Sequence, residues 1–412
     1  SFVAFDAEKG RKPLHYRKKR SCSGRVGLNI GIDARIIFRR GVGRYISSLV
    51  ASLLEIDHEN TYHVYLDRNS VLNDYYEQKN CIFRRLDTTN ALLYEQNLLP
   101  RAAEEDGVDV LHGTDNTVPY LLPAYKGKKV VTIHDTMFIR PIAKAITKPS
   151  IKQRLTDIYN KAAIPASARS ADMVITVSDY SRQDIMKYIN IPGEKIAVIK
   201  EGVADKYRVI RNNQLIEKAR QKYSLTKPYI LASAAADLRK NTQRVLEAFN
   251  IFNNMTEYRY QLVLTSIGGA ELASTNIPDI IKRYNMEKYV VLTGYVPDDD
   301  MVLLYNGALF FLFPSIWEGF GLQVLEAFSC GLPVITSDNT SLREVAGDAA
   351  LFVDPFSVED IVRGMEEMEK SENKMQALTA KGFVQAAKFS WKETAKSTLR
   401  VYEAVVSGKN EK

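Results

Sequence analysis

Cysteine, histidine and tryptophan are scarce here: three, five and two residues among 412. Cys22, Cys81 and Cys330 are odd in number and far apart. They form neither a disulfide framework nor a metal-ligand spacing, and they read as reduced thiols of a cytoplasmic protein. No apolar run approaches the roughly eighteen residues of a membrane span, and no signal-peptide pattern opens the sequence. No repeat of solenoid period is present. The full G-x-G-x-x-G spacing with its later acidic residue is also missing, which argues against a nicotinamide-dependent enzyme.

What remains is the composition of an ordinary globular protein, 45% apolar and 25% charged, with a net charge of +7. Its length predicts two domains. Residues 1–25 carry eight Lys or Arg against Asp6 and Glu8, so the rest of the chain is close to neutral. A nearly neutral body argues against nucleic acid as a partner. The basic stretch reads as a flexible leader or the end of an upstream domain. Its residues 9–25 offer a peripheral contact with an anionic membrane surface, at about 1 kcal/mol per basic residue.

From Val26 onward, apolar strand patterns alternate with helical ones, the rhythm of parallel α/β sheets covered on both faces. Val26–Ile32 predicts a strand, and Arg39, Arg40, Gly41, Val42, Gly43 and Arg44 form a glycine-bearing loop before a helix. Helical periodicity over Asn90–Glu105 is interrupted near Pro100, and Ser181 is expected to cap a helix running to about Tyr188. The rhythm restarts at Tyr229 after a polar connection. The boundaries read as 1–25 tail, 26–203 N-terminal domain, 204–227 linker, 228–388 C-terminal domain and 389–412 C-terminal helix packing back on the N-terminal domain.

Several residues carry chemistry. His134 ends a buried strand pattern, where α/β sheets place ligand contacts; alone, a histidine there is more often structural. Arg239 and Lys240 lie between a strand and a helix, where cations are disfavoured unless an anion offsets them. The stretch FPSIWEGFGLQVLEAFSCGLPVI, 313–335, runs from strand through a glycine loop into a helix. Gly319 and Gly321 let backbone N–H groups approach a phosphate, and the helix start favours negative charge. Glu318 precedes that helix, and Glu326 lies on its otherwise apolar wheel, where it needs a polar partner.

These motifs resemble those of the retaining glycosyltransferases of family 4. The strongest is the pattern E-x7-E, Glu318 to Glu326, within EGFGLQVLEAFSCGLPVI. Supporting it are GVGRY (41–45), TIHD (132–135), ITVSDYSRQDI (175–185), DLRKN (237–241), LTGYVPDDD (292–300) and SLREVAGDAALFVDP (341–355). The combination most resembles the branch that makes bacterial surface polysaccharides by mannosyl, rhamnosyl or related transfer, and it covers about Val26 to Val406.

The resemblance implies an α/β GT-B fold, two facing Rossmann-like doubly wound domains with a cleft between them. It implies no required cofactor or metal. The donor is a GDP-, UDP- or dTDP-linked sugar, and the acceptor a glycan or lipid-linked glycan. Glu326 would hydrogen-bond the ribose, and Glu318 the donor-sugar hydroxyls. Gly319, Phe320, Gly321 and Leu322 would surround sugar and phosphate. Arg239 and Lys240 would neutralise the diphosphate, with Tyr295 and Val296 beside the base. Gly41 and Gly43 would close over the phosphates, and His134 would face the donor sugar or the acceptor. Two positions depart from the pattern: Ala234 stands where many members have arginine, and Gln323 where proline is usual. The alternatives are a non-hydrolysing sugar-nucleotide epimerase of the same architecture and a non-catalytic nucleotide-sugar-binding subunit.

Overall fold

The computed structural model describes residues 27–38, 41–70, 80–121, 124–139 and 151–408. The basic stretch 1–25, Cys22 and the loop residues Arg39 and Arg40 lie outside the described residues.

Short, mostly apolar runs become strands, buried on both faces at the centre of each sheet and partly exposed at its edges. The first sheet comprises β1 (Asn29–Asp33), β2 (Thr61–Leu66), β3 (Cys81–Arg85), β4 (Val110–Gly113), β5 (Lys128–Ile133), β6 (Met173–Thr176) and β7 (Ile196–Val198). Their order is β3-β2-β1-β4-β5-β6-β7, with every pairing parallel. The second comprises β8 (Tyr229–Ser233), β9 (Gln261–Thr265), β10 (Val290–Gly294), β11 (Phe311–Phe313), β12 (Val334–Ser337) and β13 (Ala350–Val353). It runs β10-β9-β8-β11-β12-β13, again all parallel. Each sheet therefore reverses its strand order once, at β1/β4 and at β8/β11. In doubly wound sheets the ligand crevice opens at that reversal, beyond the carboxyl ends of the strands.

Two findings differ from the expected elements. The helical run over residues 91–105 is broken before Pro100, by a π-helical segment at Tyr94–Leu98. Pro100 itself sits in the first turn of the helix Leu99–Glu105, where its missing N–H costs nothing. The helix Asp179–Ile189 is capped by Ser178, whose Oγ accepts from the Ser181 N–H at 3.0 Å. Ser181 is thus inside the first turn; its hydroxyl is used elsewhere.

The segment between the sheets carries the helix Asn213–Lys222. The final helix, Trp391–Ser407, packs on the first sheet's core: Trp391, Ala395, Tyr402 and Val405 join Ile30, Ile32, Tyr45 and Leu49 in one cluster. Tyr402 Oη lies 2.6 Å from His112 Nδ1, and Thr394 Oγ1 donates to the Lys200 carbonyl at 2.7 Å. The helix emerges from the C-terminal domain and so ties one domain to the other. Leu322 contacts the cores of both domains.

Candidate functional site

The two sheet reversals face one cavity of about 660 Å³. The first domain lines it with Gly41, Arg44, His134 and Glu201 among others, the second with Lys240, Tyr295, Glu318, Gly319, Phe320, Gly321 and Glu326.

On the second domain, the loop after β8 and the loop after β11 are bound together before either meets a ligand. Ile316 N–H donates to the Arg239 carbonyl at 2.7 Å, and Ser315 Oγ lies 2.8 Å from the same oxygen. Asn241, left-handed at φ 58°, donates its amide to the Pro314 and Pro355 carbonyls. Ser341 Oγ makes contacts of 3.0 and 2.8 Å with the Glu318 and Phe320 carbonyls. This bracing sets Lys240 Nζ 2.8 Å from Glu318 Oε1, which also accepts from Ser315 Oγ at 2.6 Å. Both bonds fall on Oε1, so Oε2 keeps its lone pairs for a ligand.

Arg239 does not join Lys240 in the cavity. Adjacent residues in the 3-10 turn Leu238–Lys240 point about 120° apart. Asp237 captures the Arg239 guanidinium, with Nε donating to Oδ2 at 2.7 Å. The guanidinium also lies 3.8 Å from Asp135 and 5.4 Å from the Trp317 ring centroid. Lys240 is the member of the basic pair that faces the cavity.

Glu326 is 2% exposed, on the helix Leu322–Ser329. Burial pushes its carboxyl pKa up, while Arg44 and the Tyr305 hydroxyl pull it down. Arg44 Nη1 donates to Glu326 Oε1, Arg44 Nη2 to Asp298 Oδ1 at 2.9 Å, and Tyr305 Oη to Glu326 Oε2 at 3.1 Å. Arg44 comes from the first domain, 282 positions away. Nothing local in the sequence marks it beyond its place in GVGRY.

His134 is 8% exposed at the end of β5. Its Nε2 lies 2.9 Å from the Thr114 carbonyl, so Nε2 carries the proton, and Nδ1 lies 3.5 Å from Glu201 Oε1. Burial opposes its protonation, but the Glu201 carboxylate outweighs it and holds the imidazole pKa above its ordinary value. Both ring nitrogens are therefore engaged by protein, and the histidine reaches the cavity with its ring surface, paired with Glu201. Sequence reading missed Glu201; its place just beyond β7 was the available signal.

The glycine loop lies hard against the first domain. A Cβ at Gly319 would stand 2.5 Å from the His134 carbonyl oxygen and 3.1 Å from Asp135 Cβ. The Gly319 carbonyl accepts from Ser178 Oγ at 2.8 Å and Ser181 Oγ at 3.2 Å. Glu344 accepts from the Asp179 and Tyr180 N–H groups at 2.9 and 2.7 Å, covering the start of the helix Asp179–Ile189 from the opposite domain. Tyr295 is 62% exposed at the rim and Val296 is buried beside it. Among the described residues, no three His, Cys, Asp or Glu side chains converge as metal ligands would. No described helix is long and apolar enough to cross a membrane.

Two switch-point crevices facing each other across a cleft, with a cation, a glycine loop and two carboxylates, define the GT-B class of sugar-transferring proteins. Comparison with known proteins carries this further. The family described as "Glycosyltransferase Family 4" matches residues 39–207, and "Glycosyl transferases group 1" matches residues 214–384. O-antigen chain mannosyltransferase B of Escherichia coli is 32% identical over 295 residues, 71% of this chain and 74% of that protein. The chain belongs to this family of glycosyltransferases. Its fold is shared by the sucrose-phosphate synthase of Thermosynechococcus elongatus, with TM-score 0.72, 17% identity, and 92% of this chain and all of that one covered. It is shared too by Anabaena Alr3699/HepE, solved with UDP and glucose, with TM-score 0.71, 15% identity and the same coverage.

Proposed function

We propose that this glycosyltransferase acts with retention, moving a hexose or deoxyhexose from a nucleoside-diphosphate sugar to a glycan or lipid-linked glycan acceptor in surface-polysaccharide synthesis. Mannose is the first sugar to test and rhamnose the second. The observation that carries the reading is the pairing of Lys240 with Glu318 at the mouth of the glycine loop, one helical segment from buried Glu326. Support for mannose comes from the relative's name, O-antigen chain mannosyltransferase. Peripheral contact with an anionic membrane at the cytoplasmic face belongs to the same proposal.

In this reading Glu326 accepts hydrogen bonds from the ribose hydroxyls, and Glu318 Oε2 accepts from a hydroxyl of the donor sugar. Tyr295 and Val296 flank the base. The diphosphate lies between the Gly319–Gly321 loop, the Gly41 end of the helix Val42–Ile56 and Lys240. A cation fixed there stabilises the charge that develops on the leaving diphosphate, and it costs no reorganisation as the bond breaks. The acceptor hydroxyl attacks from the face the diphosphate leaves and gives its proton to a diphosphate oxygen. No cavity carboxylate is assigned as a nucleophile: Glu318 and Glu326 are committed to sugar and ribose, Glu201 faces His134, Asp135 faces Arg239, Asp298 binds Arg44, and Glu271 accepts from the Ala236 N–H. His134, tethered at both nitrogens, shapes the wall on the sugar side.

The experiment incubates purified protein with GDP-mannose, then with other GDP-, UDP- and dTDP-sugars, and a panel of lipid-linked glycan acceptors. NMR of the product then reads the new anomeric bond. The expected product keeps the donor's configuration. An inverted product refutes retention, and absence of transfer from every donor refutes the substrate class.

A further inference from the structure

The cation at Glu326 belongs to the opposite domain. Arg44 lies in the first turn of the helix Val42–Ile56, which has no acidic residue in that turn and no side-chain cap. A cation there opposes the helix dipole, so the position is favourable only with anions in reach. Its guanidinium crosses the cleft to Glu326 and Asp298 and lies 5.8 Å from the Tyr207 ring centroid. About a third of the side chain is exposed, and it lines the cavity with Gly41 and Lys240.

Each carboxylate that Arg44 touches has a second donor. Tyr305 Oη serves Glu326 Oε2, and Lys206 Nζ serves Asp298 Oδ2. Removing the guanidinium therefore leaves each carboxylate with a hydrogen-bond donor, a cation at Asp298 and a neutral hydroxyl at Glu326, where part of the cost of breaking a buried ion pair remains. Ribose hydroxyls are donors too, and under the ribose reading of Glu326, on which this inference rests, they need the carboxylate that Arg44 holds. A nucleoside diphosphate also brings an anion to the cavity wall where Arg44 stands.

We propose that Arg44 is a positioning residue through which the two domains read ribose and diphosphate together. Ribose hydroxyls replace the guanidinium at Glu326, and the released guanidinium turns to the phosphates. A bare nucleoside must displace Arg44 and offers it nothing in return, whereas a nucleoside diphosphate completes the exchange. Discrimination against nucleosides is thereby greater than Lys240 and the glycine loop alone provide.

The test is calorimetric titration of the wild type, Arg44→Met, Arg44→Lys and Glu326→Gln with GDP and guanosine, and with UDP and uridine, using whichever pair binds. Circular dichroism confirms that each variant folds. Arg44→Met is expected to weaken diphosphate binding and to keep or strengthen nucleoside binding. That narrows the affinity ratio of the pair by about tenfold or more, the scale of a charge-assisted contact. Glu326→Gln weakens both ligands by a similar factor and leaves the ratio near the wild-type value. If Arg44→Met leaves the ratio within about twofold of wild type, or weakens both ligands equally, the exchange is overturned. If Arg44→Met does not fold, Arg44→Lys decides: a lysine cannot fork to two carboxylates and is displaced more easily, so nucleoside binding stronger than wild type supports the exchange and unchanged or weaker nucleoside binding overturns it. Unaltered binding of both ligands by Glu326→Gln would defeat the ribose reading instead, a separate result.

Discussion

Lys240 and His134 show how a residue's partner decides what it can do. Lys240 Nζ is held by Glu318 and lies 4.6 Å from the Phe313 ring centroid, which fixes one positive charge at the cavity wall. Lys240→Ala is expected to lower kcat by about a hundredfold or more, the scale of losing one transition-state donor; turnover near wild type would remove it from the mechanism. His134 yields a pH prediction. Its folded pKa is raised by Glu201, so the pair's contribution to stability is fully present below the ordinary imidazole pKa, about 6.5. It is lost as pH rises through the folded value. Urea unfolding from pH 5.5 to 8.5 should therefore show wild type ahead of Glu201→Gln at the acid end and the gap closing toward the alkaline end. A gap that widens with pH would contradict the pairing.

At the scale of elements, the loop 318–321 is shaped for contact on both sides. Gly321 caps the helix Leu322–Ser329 at φ 110°, a conformation closed to most side chains. Gly319 is not in the left-handed region, and its constraint is room, because a Cβ there would stand 2.5 Å from the His134 carbonyl oxygen. Gly319→Ala should push the loop from the first domain and cut kcat/KM by about a hundredfold, as a misplacement of about 1 Å in reacting groups does. Overpacking should also cost about 1–3 kcal/mol in chemical unfolding. Full activity in that variant would show the loop to be freely adjustable. The glycines were legible from the sequence as a loop of close backbone approach, but this reason for Gly319 was not, since the obstructing carbonyl lies in the other domain. The Ser178 cap was misassigned by three positions for a local reason. Both serines carry the right hydroxyl, and only the backbone at Ser178, extended at φ −152°, selects it.

Across the whole molecule, the domains meet on two sides of the cleft. On one, Arg44 spans to Glu326 and Asp298; on the other, Ser178, Ser181 and the helix start at Asp179 hold Gly319 and Glu344. The Glu344 contact supplies a carboxylate to two N–H groups that a helix end leaves without intrahelical partners. Glu344→Ala is expected to cost about 0.5–2 kcal/mol, the range for a lost cap, and to raise the radius of gyration in small-angle scattering as the cleft loosens. An unchanged unfolding midpoint together with an unchanged radius would show the contact to be incidental.

The sequence by itself determined the two-sheet architecture, because short apolar runs alternating with helical periodicity leave few ways to bury both faces of a parallel sheet. It also determined the chemical types at the candidate site: two carboxylates eight residues apart, a glycine loop and a lysine after a strand are local patterns with local reasons. Tertiary structure decided which charges meet. Arg239 and Lys240 are neighbours that diverge, because a 3-10 turn separates their directions and Asp237 takes one of them. Arg44 and Glu326 are far apart in the chain, and only the facing of two separate sheets across the cleft brings them together. Pairings of that kind depend on the relative placement of rigid bodies, which no window of sequence contains.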